Sequence, residues 1–390
     1  MSELYPSIET MMGEAQTRAG LSDFGAPTFV NGLVRMRESL IAEVPFEAED
    51  RAKATELMIR RLVNRLQIEA WFAKNPEAEN AKIEGPVSIT GLPRTGTTAL
   101  GNMLSLDPQF RPLRAWEQVQ PFPPPQIEDE ANDSRRIAYR DGLAALLRAQ
   151  PELAAMHLYD LDATMEDTEI LGLEFRAQQM TMPVFGYQAW WRDGDMRETF
   201  AYHARVARML QSSRPPNRWL FKAPHHKFHL EDMVDAYPDV RFVFTHRDPG
   251  KSIPSYASFV ASLFPAYVTQ RLGREYIGRA IHQHLLIGMQ RAVAARERLG
   301  PKRFLDVHHE EFIAQPIAVI ERIYNWLGLE LTAEVRAEFE RWYSENRTGA
   351  HGAHRYTPEE FGLSAAAIRD DYDFYIKAFD VESRAGRNAA

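Results

Sequence analysis

The sequence predicts an α/β fold with a mostly parallel central sheet covered by helices on both faces. The first observation is that short apolar runs alternate with helical stretches, as in parallel three-layer folds. Strands are predicted at 87–90, 219–223, 240–246 and within 303–312, and helices at 228–236, from about 250 and at 316–327. The second observation is size, because 390 residues with 45% hydrophobic content are enough for a large core.

A helical segment precedes the first strand. Residues 49–74 are charged and place Met58, Leu62 and Leu66 at i, i+4 spacing, which is typical of a helix. We interpret residues 1–80 as a helical N-terminal extension.

The rest of the chain is predicted to divide into two parts. Residues 81–330 form the α/β domain, and residues 331–390 form a C-terminal helix and a closing loop. A Pro-rich, acidic surface connection at 121–133 leads into a mainly helical insertion at 134–216. We expect this insertion to cap the active edge of the sheet.

The segment GLPRTGTTAL, residues 91–100, follows the first strand and has the outline of a phosphate-binding loop. Gly91 and Gly96 bracket four residues, as in GxxxxGK[ST], so the fold is predicted to be P-loop-like. Such a loop aims backbone N–H groups and the positive end of a helix dipole at an anion. Thr97 stands where nucleotide triphosphatases have lysine, and no strand ends convincingly in a magnesium-binding Asp. The loop therefore predicts an anion site without γ-phosphate machinery, and an ordinary glycine-containing turn is the alternative.

Composition excludes several other classes of protein. The net charge of −8 and the pI near 5.9 argue against a general nucleic-acid binder. The absence of cysteine excludes disulfides, thiolate chemistry and Cys-zinc sites. The acidic N-terminal stretch lacks the pattern of a secretory signal, and no apolar run approaches membrane-spanning length, so we expect a cytoplasmic protein.

Basic side chains occur at three places where they suit an anion. Arg94 lies within the glycine loop and can bind two oxygen atoms at once. Arg247 and Ser255 follow the strand FVFTH, where pairing of Arg247 with an acid is the alternative interpretation. Arg347 and Gly349 belong to a basic, glycine-containing segment, NRTGAHGAHRYT, that either closes over a phosphate or is a solvated connection.

In combination these segments resemble the PAPS-dependent sulfotransferases, specifically the bacterial-type branch whose phosphosulfate loop reads PRTGTT. The resemblance covers roughly residues 85–380 and rests on GLPRTGTT, WLFKAPHH, FVFTHRDP and HRYTPEEFGL in this order. It implies 3′-phosphoadenosine 5′-phosphosulfate (PAPS) as donor, its bisphosphate as product, and no metal. It implies that the glycine loop binds the 5′-phosphosulfate, that FVFTHRDP and the helix after it bind the 3′-phosphate, and that the C-terminal loop closes on the nucleotide. The residues are Arg94, Thr95, Gly96, Thr97 and Thr98, then Arg247 and Ser255, then Arg347 and Gly349.

Sulfuryl transfer requires a base that takes the proton of the acceptor hydroxyl. The resemblance offers two candidates, Glu117 in RAWEQ and His225 in KAPHH, and we leave both open. Pairing with Arg111 or Arg114 is the alternative for Glu117. Lys222 is expected to help neutralise the bridging oxygen, and Arg94 the developing charge.

The remaining histidines give no convincing metal site. His225 and His229 lack the HExxH glutamate, and a zinc site is not predicted. His309 occupies the position where many family members have a tyrosine near the adenine, so the adenine pocket is expected to be rearranged.

The acceptor is expected to be a hydrophobic alcohol or phenol. Apolar residues near the site are predicted to line its pocket, with core packing as the alternative for each. They are Met182, Phe185, Trp190, Phe264 and Tyr267. The competing functions are an ATP-dependent phosphotransferase and a non-catalytic nucleotide-binding protein, and a homodimer is left open.

Overall fold

The centre of the molecule is a five-stranded, fully parallel sheet, which confirms the predicted fold class. The computed structural model describes residues 4–149, 158–214, 217–346 and 356–381. The strand order is β2-β3-β1-β4-β5. The strands are β1 Val87–Gly91, β2 Phe110–Pro112, β3 Arg218–Lys222, β4 Arg241–His246 and β5 Phe304–His308.

Helices cover the sheet and extend beyond it. In the described ranges they are α1 Ile8–Ala19, α2 Phe29–Glu43, α3 Ala48–Lys74, α4 Thr97–Leu104, α5 Ala115–Val119, α6 Ser134–Ala149, α7 Thr168–Leu171, α8 Phe185–Asp193, α9 Arg197–Leu210, α10 Leu230–Ala236, α11 Pro249–Leu263, α12 Ala266–Leu272, α13 Arg274–Leu299, α14 His309–Ala314, α15 Pro316–Leu327, α16 Ala333–Glu345, α17 Ala365–Asp371 and α18 Asp373–Phe379. None of these helices is both long and apolar enough to cross a membrane.

The sheet register brings three loops together. All five residues of β1 are buried, as expected for a central parallel strand. Gly91 at the end of β1 lies opposite Thr245 of β4, and Ile89 lies opposite Lys222 of β3. The loops that follow β1, β3 and β4 therefore leave the same edge of the sheet, which is where ligands bind in open α/β folds.

Helices α2 and α3 pack against the segment that follows α7. Arg65 of α3 is 1% exposed, and its guanidinium contacts Glu174 at 2.5 Å. The same guanidinium lies over the rings of Phe29 and Tyr202, 4.6 and 4.3 Å from their centroids. A buried Arg is stable only when it is paired in this way, so this contact fixes the N-terminal helices on the insertion.

More than half of the described residues of the insertion are helical, and two stretches between the helices are irregular. Helices α6 to α9 account for part of 134–216, but residues 158–167 and 176–184 have no regular helix. Both irregular stretches contribute lining residues to one cavity. The short strand β2 was not predicted, since three residues at a sheet edge give too weak a pattern.

Candidate functional site

The loop after β1 has the backbone of an anion-binding turn. Arg94 and Gly96 have φ values of +64° and +88°, and α4 begins immediately afterwards at Thr97. A positive φ costs a residue with a Cβ roughly 1–2 kcal/mol, so the strain at Arg94 is stored where a ligand would bind. A Cβ on Gly91 would lie 2.3 Å from the Thr245 carbonyl oxygen, so only glycine fits there. The first N–H groups of α4 lack partners within the helix and are available to an anion.

Hydroxyl groups hold this loop against β4 and α11. The Thr95 hydroxyl donates to the Leu92 carbonyl oxygen at 2.7 Å and lies 2.5 Å from that of Thr245. Ser252 donates to the Pro93 carbonyl oxygen at 2.5 Å. Thr95 is 2% exposed and its hydroxyl supports the loop, so its contact with the phosphosulfate stays a prediction.

Two arginines from distant parts of the chain meet at this loop. Arg247 Nη1 donates to the Arg94 carbonyl oxygen at 2.7 Å, and Arg94 Nε donates to Ser255 Oγ at 3.4 Å. Burial and the nearby charge of Arg247 lower the pKa of Arg94, and burial and Arg247 lower that of His309 to about 4. Clustered positive charge in a buried place favours an anionic ligand. His309 faces Gly96, where an added Cβ would lie 3.2 Å from its Nδ1.

These groups border one cavity of about 760 Å³, which we call the main cavity. One part of its wall carries the loop and the positive groups, and the other carries mainly apolar side chains. The first part includes Arg94, Gly96, Thr97, Thr98, Arg247, Ser255 and His309. The second includes Leu57, Val119, Tyr139, Leu158, Met165, Met180, Phe259 and Leu263.

Glu166 is a carboxylate of the main cavity that the sequence did not reveal. Its side chain is 18% exposed and lines the cavity, and its Oε1 lies 3.4 Å from Lys222 Nζ. Lys222 is fully buried at the end of β3 and is not among the described lining residues. Its link to the cavity is the ion pair with Glu166. No local pattern marks Glu166, because it lies in an irregular stretch far along the chain from the glycine loop.

Glu117 is placed differently from its predicted role as base. It is fully buried, and its carboxylate accepts from Arg111 Nη2 at 2.6 Å and from Arg114 Nη2 at 2.5 Å. Burial alone would raise the pKa of Glu117, but the two guanidinium groups outweigh it and hold the pKa at about 2. The charge of this carboxylate is compensated by two arginines, and Glu117 is not among the described residues of the cavity wall. Such a group is unsuited to take a proton from a bound hydroxyl. The ion pair that the sequence offered as the alternative is the one observed.

His225 is also engaged elsewhere. Its Nε2 lies 2.9 Å from Asp167 Oδ1, and His226 Nε2 lies 2.6 Å from Asp167 Oδ2. Burial would raise the pKa of Asp167, but the charge of His226 and the hydrogen bonds from the histidines lower it well below its usual value. Burial lowers the pKa of His225, although Asp167 opposes this. His225 is not among the described residues lining the main cavity, so the structure favours a role in a buried hydrogen-bonded cluster.

This cluster also has the composition of a metal site. The ligand atoms of Asp167, His225 and His226 lie within 4.8 Å of one another. The imidazole nitrogens point at carboxylate oxygens at hydrogen-bonding distance, and His226 Nδ1 is 2.8 Å from Ser88 Oγ. These contacts satisfy the groups without a cation.

Four of the residues predicted to line the acceptor pocket have packing roles. Met182 and Phe264 are buried in the core, and Trp190 lies under Arg176, 4.8 Å from the guanidinium carbon. The Tyr267 hydroxyl donates to Asp50 at 2.6 Å and so ties α12 to α3. None of the four is among the described residues of the main cavity wall.

Phe185 lines a neighbouring cavity, described below. Arg347 and Gly349 lie outside the described residues.

Comparisons with known proteins agree on one family. A sequence model described as "Sulfotransferase family" matches residues 86–333. The crystal structure of sulfotransferase STF9 from Mycobacterium avium superposes with a TM-score of 0.86 at 29% identity, covering 96% of this chain and 97% of that one. Sulfotransferase STF1 from Mycobacterium tuberculosis H37Rv has the same fold, with a TM-score of 0.83 at 23% identity over 94% and 98% of the two chains.

A curated relative is similar over a shorter stretch. The omega-hydroxy-beta-dihydromenaquinone-9 sulfotransferase Stf3 of Mycobacterium bovis is 23% identical over 172 residues. The match covers 38% of this chain and 44% of that protein, so the chain spans less than half the length of this relative.

Proposed function

The chain belongs to the sulfotransferase family, and from that premise we propose that it transfers a sulfuryl group from PAPS to a hydroxyl of a hydrophobic small molecule. The observation that carries the proposal is the meeting of the glycine loop with Arg247 in a cavity that also contains Glu166. The loop and Arg247 suit a ligand with two anionic groups, and the carboxylate suits an acceptor hydroxyl beside them.

The residues present fit the proposed donor. The N–H groups at the start of α4, the hydroxyls of Thr97 and Thr98, and Arg94 would hold the 5′-phosphosulfate. Arg247 and Ser255 would hold the 3′-phosphate, with Arg347 and Gly349 as further predicted contacts. Thr97 in place of a Walker lysine is compatible with this donor, which has no γ-phosphate. PAPS supplies an activated sulfuryl group on a phosphate leaving group.

We propose Glu166 as the general base, in place of Glu117 and His225. Its carboxylate takes the proton of the acceptor hydroxyl while the acceptor oxygen bonds to sulfur and the bond from sulfur to the bridging oxygen breaks. The bridging oxygen leaves with the phosphate of adenosine 3′,5′-bisphosphate. Arg94 and the α4 N–H groups stabilise the charge that develops there, as oxyanion donors do. Lys222 holds Glu166 in position through its 3.4 Å contact.

The apolar part of the main cavity supports a hydrophobic acceptor. Leucine, methionine and aromatic side chains surround the space next to Glu166. The name of the Stf3 relative describes the sulfation of an omega-hydroxy menaquinone, which is also a hydrophobic alcohol. We therefore propose an alcohol with an extended apolar body as the acceptor class.

The proposed donor is tested by thermal stabilisation. Adenosine 3′,5′-bisphosphate at 100 times its Kd is expected to stabilise the protein by about 2.7 kcal/mol, because it binds only the folded state. The Arg247→Ala variant is expected to lose most of the shift in Tm. Arg303→Ala is the matched control, since Arg303 also donates to a backbone carbonyl, that of Pro238, but precedes β5 at the opposite edge of the sheet.

The competing functions predict other results. Larger stabilisation by ATP with Mg²⁺ than by the bisphosphate would favour a phosphotransferase. The activity itself is measured as the sulfate ester formed from PAPS and 1-octanol, detected by mass spectrometry. Bisphosphate binding without any product from a panel of primary alcohols and phenols would indicate a non-catalytic binder.

A further inference from the structure

A second cavity, of about 420 Å³, adjoins the main cavity. The two share a wall made of the side chains of Gln178, Gln179, Met180 and Tyr256, each of which lines both. The second cavity lies between α8, α11 and α13. Its remaining lining includes Phe185, Ala189, Arg192, Tyr276, Ala280 and His284.

The shared wall is built largely on backbone without regular secondary structure. Gln178, Gln179 and Met180 belong to the irregular stretch 176–184. Two carboxamide contacts connect that stretch to helices that border the second cavity. Gln188 Nε2 of α8 donates to the Gln179 carbonyl oxygen at 2.7 Å. Gln178 Nε2 also lies 3.5 Å from His284 Nε2. Methionine has three rotatable bonds, so Met180 can change rotamer and join the two spaces.

The lining of the second cavity differs in chemistry from that of the main cavity. Phe185 and Tyr276 form an edge-to-face pair with centroids 5.4 Å apart, which gives a surface for a flat ring. Hydrogen-bond donors surround this pair, namely the carboxamides and the guanidinium groups of Arg192 and Arg279. No Asp or Glu is among the described residues that line this cavity.

The charges around the second cavity favour a neutral ligand. Arg192 is paired with Asp193 at 2.8 Å, and Arg279 with Glu275 at 3.3 Å, so both guanidinium charges are already partly compensated. Burial and the charge of Lys227 lower the pKa of His284 well below its usual value, so its imidazole is neutral at pH 7. The cavity therefore offers donors and an aromatic surface without strong net charge, which suits a ring with carbonyl oxygens.

We propose that the second cavity binds the end of the acceptor remote from its reacting hydroxyl, and that this end is a neutral aromatic ring carrying a carbonyl oxygen. The inference rests on the proposed function, since it needs the hydroxyl to lie at Glu166. The chain that links the hydroxyl to the ring passes the shared wall at Met180.

The test uses acceptors that differ only at the remote end. N-(ω-hydroxyalkyl)benzamides with linkers of four, six, eight and ten carbons are compared with the unsubstituted 1-alkanols of the same lengths. For the linker that spans the two cavities, the benzamide is expected to raise kcat/KM by about 10-fold or more, the effect of burying one ring. The gain is expected in KM, because the ring contributes binding and not chemistry.

Filling the second cavity is expected to abolish this gain selectively. Ala280→Trp and Ala189→Phe place bulk at half-buried positions of α13 and α8 that line the second cavity and not the main one. Either variant is expected to remove the benzamide advantage and to leave 1-octanol turnover within about 2-fold. Ala294→Trp, at a half-buried position further along α13, is the matched control that keeps the advantage. The Tm of each variant is measured first, and the variant that folds is used.

The outcomes separate this inference from the proposed function. Sulfation of 1-octanol without any benzamide advantage at any linker length would overturn the inference and keep the function. An advantage that survives both filling variants would also overturn it, because the ring then binds elsewhere. No sulfation of any alcohol, with or without a ring, would overturn the proposed function.

Discussion

Replacing Glu166 with Gln is expected to lower kcat by about 10²- to 10⁴-fold, the usual cost of removing a general base. The substitution keeps the size of the side chain and its place in the cavity wall but removes its ability to accept a proton. The shift in Tm caused by adenosine 3′,5′-bisphosphate is expected to persist, because Glu166 does not belong to the proposed donor contacts. Single-turnover assays with PAPS and 1-octanol, beside the Tm measurement, separate the lost chemistry from lost binding.

Two further variants make this result specific. Glu169→Gln changes a second carboxylate of the main cavity, which already pairs with Arg60 and Arg61 at 3.2 and 3.3 Å, and is expected to lower kcat less than about 10-fold. His225→Asn tests the alternative base that the sequence offered. If a folded His225→Asn variant lost turnover while Glu166→Gln retained it, the base would be His225 and the assignment of Glu166 would be wrong.

The parts of the site that the sequence predicted are those encoded by local pattern. An apolar strand followed by GLPRTGTT specifies a glycine loop and a helix start, and the structure has both at Gly91, Gly96 and Thr97. The pairing of β1 with β4 then places Arg247 beside that loop, as the resemblance to sulfotransferases implied. The helix predicted at 316–327 is observed as Pro316–Leu327, and the structure shows a proline at its first position and Gly328 directly after its end.

The parts that the sequence did not predict depend on contacts between distant segments. Glu166 has no distinguishing neighbours in sequence, and only packing places it on the cavity wall. The arginines that pair with Glu117 are near it in sequence, which is why that pairing could be offered as an alternative, but the sequence could not decide between the ion pair and the base. Trp190 and Tyr267 were predicted to line the acceptor pocket because they are large and apolar. Hydrophobicity indicates that a side chain tends to be buried, but not which neighbouring surface it packs against. Their contacts with Arg176 and Asp50 join segments that the sequence could not show to be neighbours.

Replacing Glu117 with Gln is expected to destabilise the protein by about 3–5 kcal/mol at pH 7, the usual cost of breaking a buried ion pair. The carboxylate holds Arg111 and Arg114, whose side chains are 4% and 7% exposed, and a neutral amide would leave two buried guanidinium charges poorly compensated. The free energy of unfolding is measured by urea denaturation. Glu338→Gln is the matched control, because Glu338 pairs with Arg341 at the surface and surface pairs contribute about 0–1 kcal/mol.

The ion pair of Glu117 also predicts how the free energy of unfolding changes with pH. The folded-state pKa of Glu117, about 2, lies below the usual value of 4.5, so the stabilisation is complete above the unfolded-state value and is lost as the pH falls towards 2. The difference in unfolding free energy between the wild type and Glu117→Gln is therefore expected to narrow between about pH 5 and pH 3. A difference that stays constant over this range would mean that the carboxylate is not held ionised by the two arginines. A variant as stable as the wild type at pH 7 would show that the ion pair contributes little to stability, and the pairing with Arg111 and Arg114 would no longer argue against Glu117 as the base.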